Sequence, residues 1–222
     1  AYLPISFARF YADYQGDYRQ RSSFYFEQNV RGALESAVEE ARGAKDGSAV
    51  CISRAVNPVI DWYWKFYLRK LGAEALGIKA GIVIDFGTDT TFDVFANHTY
   101  YGGVICPGIQ TGLRTLVQNA AKLAEPELRW PSVTVGRNTD DAMRIGILSG
   151  SVGMVEHLLS DILKEPAFKT RNPLVLATGG LSSWMKGRTK AIQRFEPDLT
   201  LIGINHLLSG AKPERLMGRS KA

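Results

Sequence analysis

The chain has 222 residues, of which 45% are hydrophobic and 22% charged, and its formal net charge is +5 at pH 7. This composition is typical of a soluble globular protein and allows one domain or two small ones. The charge does not indicate nucleic-acid binding, because the basic residues are scattered and no Lys/Arg run alternates with aromatic residues. It also suits an enzyme with anionic substrates. No apolar run reaches the length of a membrane span, and no signal peptide is visible.

The first part of the chain predicts four elements. The aromatic residues of segment 1–26 are interrupted by Gly16-Asp17, which indicates a hairpin whose aromatic stripe belongs to a sheet core. Apolar positions at helical spacing predict an amphipathic helix over 29–41. A short buried strand follows at 49–52, and Asn57-Pro58 opens a helix that the sequence predicts to end at Gly72.

The second part alternates strands with helices, which predicts an α/β architecture with a mixed sheet. In chain order the expected elements are a strand at Gly81–Ile84, a hairpin from Phe92 to Gly102 turning at Asn97-His98, helices at Ile109–Leu123 and Asp140–Leu163, a strand at Leu174–Ala177, and a strand-to-helix passage from Leu199 to Leu208.

The helix expected from Asp140 carries two further features. Thr139 precedes it and is a candidate N-cap. Gly146, Gly150 and Gly153 recur on it at intervals of four and three, so another backbone could approach closely. Either a neighbouring helix or the second subunit of a dimer could pack against these glycines.

One motif stands out between Ile84 and Asp93. Gly87 follows an apolar strand, and the residues around it include the carboxylates Asp85 and Asp93 and three threonines. Glycine permits a sharp turn and close approach to an anion, and the hydroxyls and turn N–H groups can donate to phosphate oxygens. The carboxylates would repel a bare phosphate, so the pattern predicts a cation between them. The alternative is a simple β-hairpin turn.

Several other motifs follow in order, and together they resemble the type III pantothenate kinases. The matching stretch runs from about Gly81 to Leu208, and the motifs downstream of the Asp85 turn are Gly102-Gly103-Val104-Ile105-Cys106-Pro107-Gly108, Asn119-Ala120-Ala121-Lys122-Leu123, Gly136-Arg137-Asn138-Thr139-Asp140-Asp141 and Ala177-Thr178-Gly179-Gly180.

The resemblance implies a fold and an activity that periodicity alone would not show. The fold is that of the actin and sugar-kinase superfamily, with two ribonuclease-H-like lobes, here an incomplete lobe at 1–80 and a second lobe at 81–222. The activity is ATP-dependent phosphorylation of pantothenate to 4′-phosphopantothenate, the first step of coenzyme A biosynthesis. The resemblance further implies Mg²⁺, a monovalent cation such as K⁺ or NH₄⁺, and a homodimer.

By position, the resemblance also implies roles for individual residues. Asp85 would coordinate the monovalent cation, with Asp93 as a further cation or supporting partner. ATP would contact Gly87, Thr88, Thr90, Gly179 and Gly180. Pantothenate would contact Thr139, and Gly103 belongs to a loop beside it. Read without the family, Thr139 is a helix N-cap and Gly179-Gly180 a helix C-cap or turn.

Two family motifs are not visible in this sequence. One is an Asp-x-Gly-Asn-Thr phosphate loop, which is not found between Ala1 and Arg31, and the other is a Gly-x-Asp-Arg motif before Gly81 whose aspartate would act as base. Three explanations stay open: residues missing from the printed chain, a non-catalytic accessory or regulatory homologue, or another base. The sequence therefore assigns no catalytic residue.

The remaining candidates for metal or redox chemistry are weak. Cys51 and Cys106 have no metal-ligand spacing, and they predict buried free thiols and a cytoplasmic location. His98, His157 and His206 lack partners at ligand spacing. Asp140 and Asp141 are adjacent and read as first-turn charges of a helix rather than an acid/base pair.

Overall fold

The computed structural model describes residues 68–97, 99–120, 123–165, 168 and 172–208. Elements are numbered within this part of the chain. A helix occupies residues 68–75 and is called α1. The strands are β1 (Ala80–Phe86), β2 (Asp89–Ala96), β3 (Thr99–Pro107), β4 (Leu174–Thr178) and β5 (Arg194–Phe195), and the other helices are α2 (Ile109–Asn119), α3 (Thr139–Arg144), α4 (Gly150–Ile162) and α5 (Leu199–Leu208).

The five strands form one mixed sheet in the order β3-β2-β1-β4-β5. β1 pairs antiparallel with β2, and β2 antiparallel with β3, as consecutive hairpins. On its other side β1 runs parallel to β4, which is parallel to β5. β1 is therefore the central strand, and its two neighbours run in opposite directions. The predicted α/β class with a mixed sheet is confirmed.

One face of the sheet carries the larger hydrophobic core. Ile82, Ile84 and Phe86 of β1 alternate toward this face with Phe92 and Val94 of β2, as the period-2 geometry of strands requires. The partners that cover them include Ile109, Leu148, Val155 and Leu159 from the helical segments.

The other face is covered by α1 and α5. Ala73, Val83, Phe95, Leu176 and Leu199 form its core. The two helices approach backbone to backbone, because a Cβ on Gly72 would overlap the Leu199 carbonyl oxygen and a Cβ on Gly203 would overlap that of Leu68. These two glycines allow α1 and α5 to pack this closely.

The predicted elements are confirmed in kind, with corrections at their ends. The hairpin turns at Asn97, whose φ is 47°, a left-handed value that asparagine tolerates. Helix α1 continues past Gly72 to residue 75 and is followed by Gly77, with φ 77°, which supplies the expected C-terminal glycine. α2 ends at Asn119, earlier than predicted. Segments 1–26, 29–41 and 49–52 lie outside the described residues.

One prediction near the C-terminal part of the sheet was wrong. Leu199–Leu208 is helical throughout, and the strand expected there is the separate two-residue β5 at Arg194–Phe195. The error comes from reading a short apolar run without its pairing partner. Gly179 and Gly180 follow strand β4 in a turn, which agrees with the turn alternative and not with a helix C-cap.

The long helix predicted from Asp140 is continuous but not uniform. A π-helical segment, Ile145–Ser149, separates α3 from α4. Gly146, Gly150 and Gly153 are exposed, and no other described residue would contact a Cβ placed on any of them. Within the described part of the chain, no helix has both the length and the apolarity that crossing a bilayer requires.

Candidate phosphate-binding site

The candidate site lies at the ends of β1 and β4. These strands are parallel, so their carboxyl ends meet at one edge, where Asp85 pairs in register with Thr178. β2 turns away antiparallel from the same edge. Ligands of open α/β sheets bind where neighbouring connections diverge in this way, so the topology alone makes this edge the first candidate.

The turn from β1 to β2 is tight and well supported. It consists of Gly87 and Thr88, with the Gly87 N–H donating to the Asp89 carbonyl oxygen at 3.0 Å. The start of α2 packs on it: a Cβ on Gly108 would overlap the Thr88 carbonyl oxygen, and the Thr111 hydroxyl donates to that oxygen at 2.6 Å. The hairpin-turn alternative is thus correct for the backbone, and the Thr88 side chain remains exposed.

Gly179 brings the exit of β4 against Asp85. Its φ is 89°, a conformation that favours glycine, and a Cβ there would overlap Oδ1 of Asp85. The Leu181 N–H donates to the Phe86 carbonyl oxygen at 3.1 Å, which ties the two strand ends together. The Cβ position of Gly87 is 3.7 Å from the same Oδ1. We call the space bordered by Gly87, Gly179 and Asp85 Oδ1 the glycine notch.

A buried arginine binds both carboxylates of the motif. Arg69 of α1 is 1% exposed. Its guanidinium donates to Oδ2 of Asp85 and forms an ion pair with Oδ2 of Asp93, the latter at 3.0 Å. The arrangement is possible because Asp85 and Asp93 lie on the same sheet face, on neighbouring strands, beneath α1. Asp85 keeps Oδ1 at the glycine notch, and its side chain is 21% exposed.

Arg69 was not among the site residues predicted from the sequence. Its signal is visible afterwards: Arg69 lies three and four residues before Gly72 and Ala73, on the stripe of α1 that faces the sheet. A charged residue on a buried stripe needs a partner of opposite charge. Helical spacing identifies that need but not which carboxylate meets it.

The other expected ATP contacts are distributed unevenly. Thr90 is buried, and by strand alternation it lies on the face opposite Asp85. Thr91 lies on the face of Asp85, and its buried hydroxyl has no hydrogen-bond partner among the described residues. Gly180 is exposed beside the glycine notch, and Gly103 is exposed on β3 opposite Asp93.

The Gly-Arg-Asn-Thr motif forms a second feature. The N-cap of α3 is Asn138, whose side chain accepts from the Asp141 N–H at 2.8 Å, so the assignment of Thr139 as N-cap was wrong by one residue. A Cβ on Gly136 would overlap the backbone at Ala142, which explains the glycine. Thr139 is exposed in an open polar depression of about 440 Å³, lined by Arg129, Asn138, Thr139, Asp140, Asp141 and Arg144.

Charge around α3 is organised by Arg144. It ion-pairs with Asp141 at 3.1 Å, and its Nε donates to the Glu127 carbonyl oxygen at 2.8 Å. The hydrogen bond from Asn138, and then that from Arg144, lower the pKa of Asp141 below its usual value. Asp140 and Asp141 are first-turn charges, as predicted. Half-burial of Cys106 raises the pKa of its thiol.

The residues present fit one weakly coordinated cation rather than a dedicated metal cage. No cluster of three or more His, Cys, Asp or Glu side chains occurs in the described ranges. Asp93 is engaged by Arg69, whereas Asp85 offers Oδ1 at the glycine notch. One carboxylate oxygen beside close-packed backbone can serve an ion that is otherwise held by phosphate oxygens and water.

This arrangement defines an α/β protein whose mixed sheet presents a glycine-lined edge with one carboxylate oxygen, where a phosphate group would need an accompanying cation. The model of the family described as type III pantothenate kinase matches residues 66–161. This match overlaps the stretch in which the sequence motifs predicted a resemblance to that family.

Curated relatives agree with this assignment. The type III pantothenate kinase of Streptomyces avermitilis is 43% identical over 124 residues, which is 55% of this chain and 47% of the relative. Type III pantothenate kinase 1 of Symbiobacterium thermophilum is 37% identical over 158 residues, 71% of this chain and 56% of the relative. The chain thus spans about half the length of the curated relatives it matches.

A solved structure from Campylobacter jejuni, provisionally described as a Baf family transcriptional activator, is 17% identical. It covers 69% of this chain and 79% of its own, with a TM-score of 0.48, too low to bear on the fold.

Proposed function

We propose that this chain belongs to an ATP-dependent kinase that phosphorylates pantothenate to 4′-phosphopantothenate, the first step toward coenzyme A. The observation that carries the proposal is the glycine notch, where Asp85 Oδ1 lies beside Gly179 at the ends of parallel strands. The family match of residues 66–161 supports the same activity.

Phosphoryl transfer asks a protein mainly for positioning and charge neutralisation. In the proposal, the turn formed by Gly87 and Thr88 binds ATP phosphates through N–H and hydroxyl donors. Gly179 and Gly180 receive the adenosine: Gly180 is exposed with open space at its Cβ position, while Gly179 lets the chain pass close to Asp85. Thr90 is the weakest member of this set, since its buried side chain lies on the opposite sheet face.

We assign the monovalent cation, K⁺ or NH₄⁺, to Oδ1 of Asp85. A cation there would offset the repulsion between the carboxylate and a phosphate oxygen. Mg²⁺ is expected with the ATP phosphates, since such sites use few protein ligands. Asp93 supports Arg69 in this scheme, which favours the supporting-partner alternative over direct coordination.

The pantothenate contact is assigned to Thr139, with Gly103 shaping a neighbouring loop. The depression around Thr139 and the glycine notch share no lining residue. A homodimer in which one subunit presents Thr139 to the other would reconcile the two positions, and the exposed Gly146, Gly150 and Gly153 offer a surface for it. The two-lobed superfamily arrangement and a cytoplasmic location belong to the same proposal.

The alternative is a non-catalytic accessory or regulatory homologue. It is favoured by one observation, the absence of a Gly-x-Asp-Arg motif before Gly81 in this chain. Without that aspartate no described residue has been assigned as base toward the pantothenate hydroxyl. The kinase and the accessory protein therefore differ in turnover rather than in fold.

One experiment separates them. Purified protein of verified intact mass is incubated with ATP, Mg²⁺, K⁺ and pantothenate, and 4′-phosphopantothenate is measured by mass spectrometry alongside coupled ADP release. Pantothenate-dependent product supports the kinase, and its formation by these 222 residues alone means that another residue supplies the base. Nucleotide binding without product supports the accessory homologue.

A further inference from the structure

The position of Arg69 links helix α1 to the phosphate-binding edge. The guanidinium binds Oδ2 of Asp85 and Oδ2 of Asp93 at the same time. Asp85 and Asp93 are the two aspartates of the motif that are predicted to lie near a cation. Arg69 therefore determines which of their oxygens are left for a ligand.

We propose that Arg69 is a positioning residue of the nucleotide site. By binding Oδ2 it holds the Asp85 carboxylate with Oδ1 toward the glycine notch, and by pairing with both carboxylates it reduces their combined charge from −2 to −1. This rests on the proposed function in so far as the ligand at the notch is ATP with its cation.

The charge balance explains why one cation suffices. Two carboxylates on neighbouring strands in a buried setting repel each other, and one guanidinium removes half of that charge. The charge that remains on Asp85 can be matched by one monovalent ion at Oδ1. Without Arg69, Oδ2 of Asp85 would lose the ion pair that holds it, and the carboxylate could turn away from the glycine notch.

The geometry also explains why the residue is arginine. A planar guanidinium offers separate N–H donors to two carboxylates, whereas an ammonium is a single point charge. Nη1 binds Asp85 and Nη2 binds Asp93. Nε of Arg69 is buried and has no hydrogen-bond partner in the part of the chain that is described. The side chain thus gives up one bond while it spans the two carboxylates.

The backbone beneath Arg69 is held in place independently. Leu68, the preceding residue, contacts α5 through the close approach at Gly203. The helix that carries Arg69 is therefore also held by a contact that does not involve the ion pairs.

The test uses the full chain and measures ATP affinity by titration calorimetry, with Mg²⁺ present and with or without KCl. The variants are Arg69→Met, Arg69→Lys, Asp85→Asn and the double variant Arg69→Met/Asp85→Asn. The matched control is Lys70→Met, because Lys70 is the next residue of α1, is equally buried, and pairs with Glu74 at 2.8 Å rather than with the motif.

We expect Arg69→Met to weaken ATP binding by about tenfold or more and to abolish its stimulation by K⁺, as loss of a charge-assisted bond to the positioned group implies. Arg69→Lys should fall between Met and wild type. Because Arg69 acts through Asp85, the double variant should bind ATP no more weakly than Asp85→Asn alone. Lys70→Met should retain wild-type affinity and K⁺ stimulation.

Wild-type affinity and K⁺ stimulation in folded Arg69→Met would overturn the proposal, as would additive losses in the double variant. If Arg69→Met does not fold, unchanged K⁺ stimulation in Arg69→Lys has the same force. ATP binding does not require turnover, so a wild type that binds ATP without phosphorylating pantothenate contradicts the proposed function and leaves the role of Arg69 standing. A wild type that binds no ATP contradicts both.

Discussion

Gly179 lies so close to Asp85 that a single added methyl group would overlap the carboxylate oxygen Oδ1. Its φ of 89° adds backbone strain for any other residue. We expect Gly179→Ala to destabilise the protein by about 1–3 kcal/mol and to weaken ATP binding. Gly180→Ala is the control for stability, because no described atom lies within 4 Å of its Cβ position. Equal unfolding midpoints for the two variants in urea would contradict this account.

Asp85→Asn removes the charge at the glycine notch while keeping the shape of the side chain. We expect ATP affinity to fall by on the order of tenfold and K⁺ stimulation to disappear, because hydrogen bonds to charged groups contribute about 1.5–3 kcal/mol. Asp89→Asn, at an exposed position of the same hairpin, is the control. Unchanged K⁺ stimulation in a binding titration of Asp85→Asn would exclude the assigned cation position.

Substitutions at Asn138 and Thr139 distinguish a structural role from a binding role. Asn138→Ala should lower stability by about 1 kcal/mol, because the N-cap bond to the Asp141 N–H is lost. Thr139→Val should leave stability near wild type and raise the apparent KM for pantothenate by about tenfold. Thermal unfolding and steady-state kinetics of both variants check this. A stability loss confined to Thr139→Val would reverse the two roles.

The exposed glycines of the α3–α4 region test the homodimer. If Gly150 lies at a subunit interface, Gly150→Leu should shift the protein from dimer to monomer in sedimentation velocity runs. If it faces solvent, Gly150→Ala should stabilise the helix by about 1 kcal/mol and leave the sedimentation coefficient unchanged. The second result would remove the support that this surface gives to the dimer.

The lowered pKa of Asp141 predicts that the stability of the folded chain depends on pH. Its pKa is lowered from 3.8 in the folded chain, chiefly by the hydrogen bond with Asn138 and then by that with Arg144. A lowered pKa contributes stability above the unfolded value and loses it as pH falls through the folded value. The difference in stability between wild type and Asp141→Asn should therefore shrink from about pH 7 to about pH 3. Urea unfolding across that range measures it, and a constant difference would contradict the assignment.

Local sequence patterns were enough to predict the alternation of strands and helices, the turn at Gly87, the hairpin at Asn97 and the order of the phosphate-associated motifs. These are local properties, because period-2 alternation, helical spacing and the demand for glycine or asparagine at special φ values act over a few residues. The resemblance to a family could be recognised from the same motifs, because their residues and their order are read directly from the sequence.

Which distant residues meet could be seen only in the folded chain. Parallel pairing of β1 with β4 brings Gly179 to Asp85, and the close crossing of α1 with α5 places Arg69 over Asp85 and Asp93. Neither contact could be predicted from the sequence, because each depends on how strands pair and how helices pack rather than on residues that are neighbours along the chain. The same limit explains the one-residue error at Thr139, where the cap depends on which side chain reaches the Asp141 N–H.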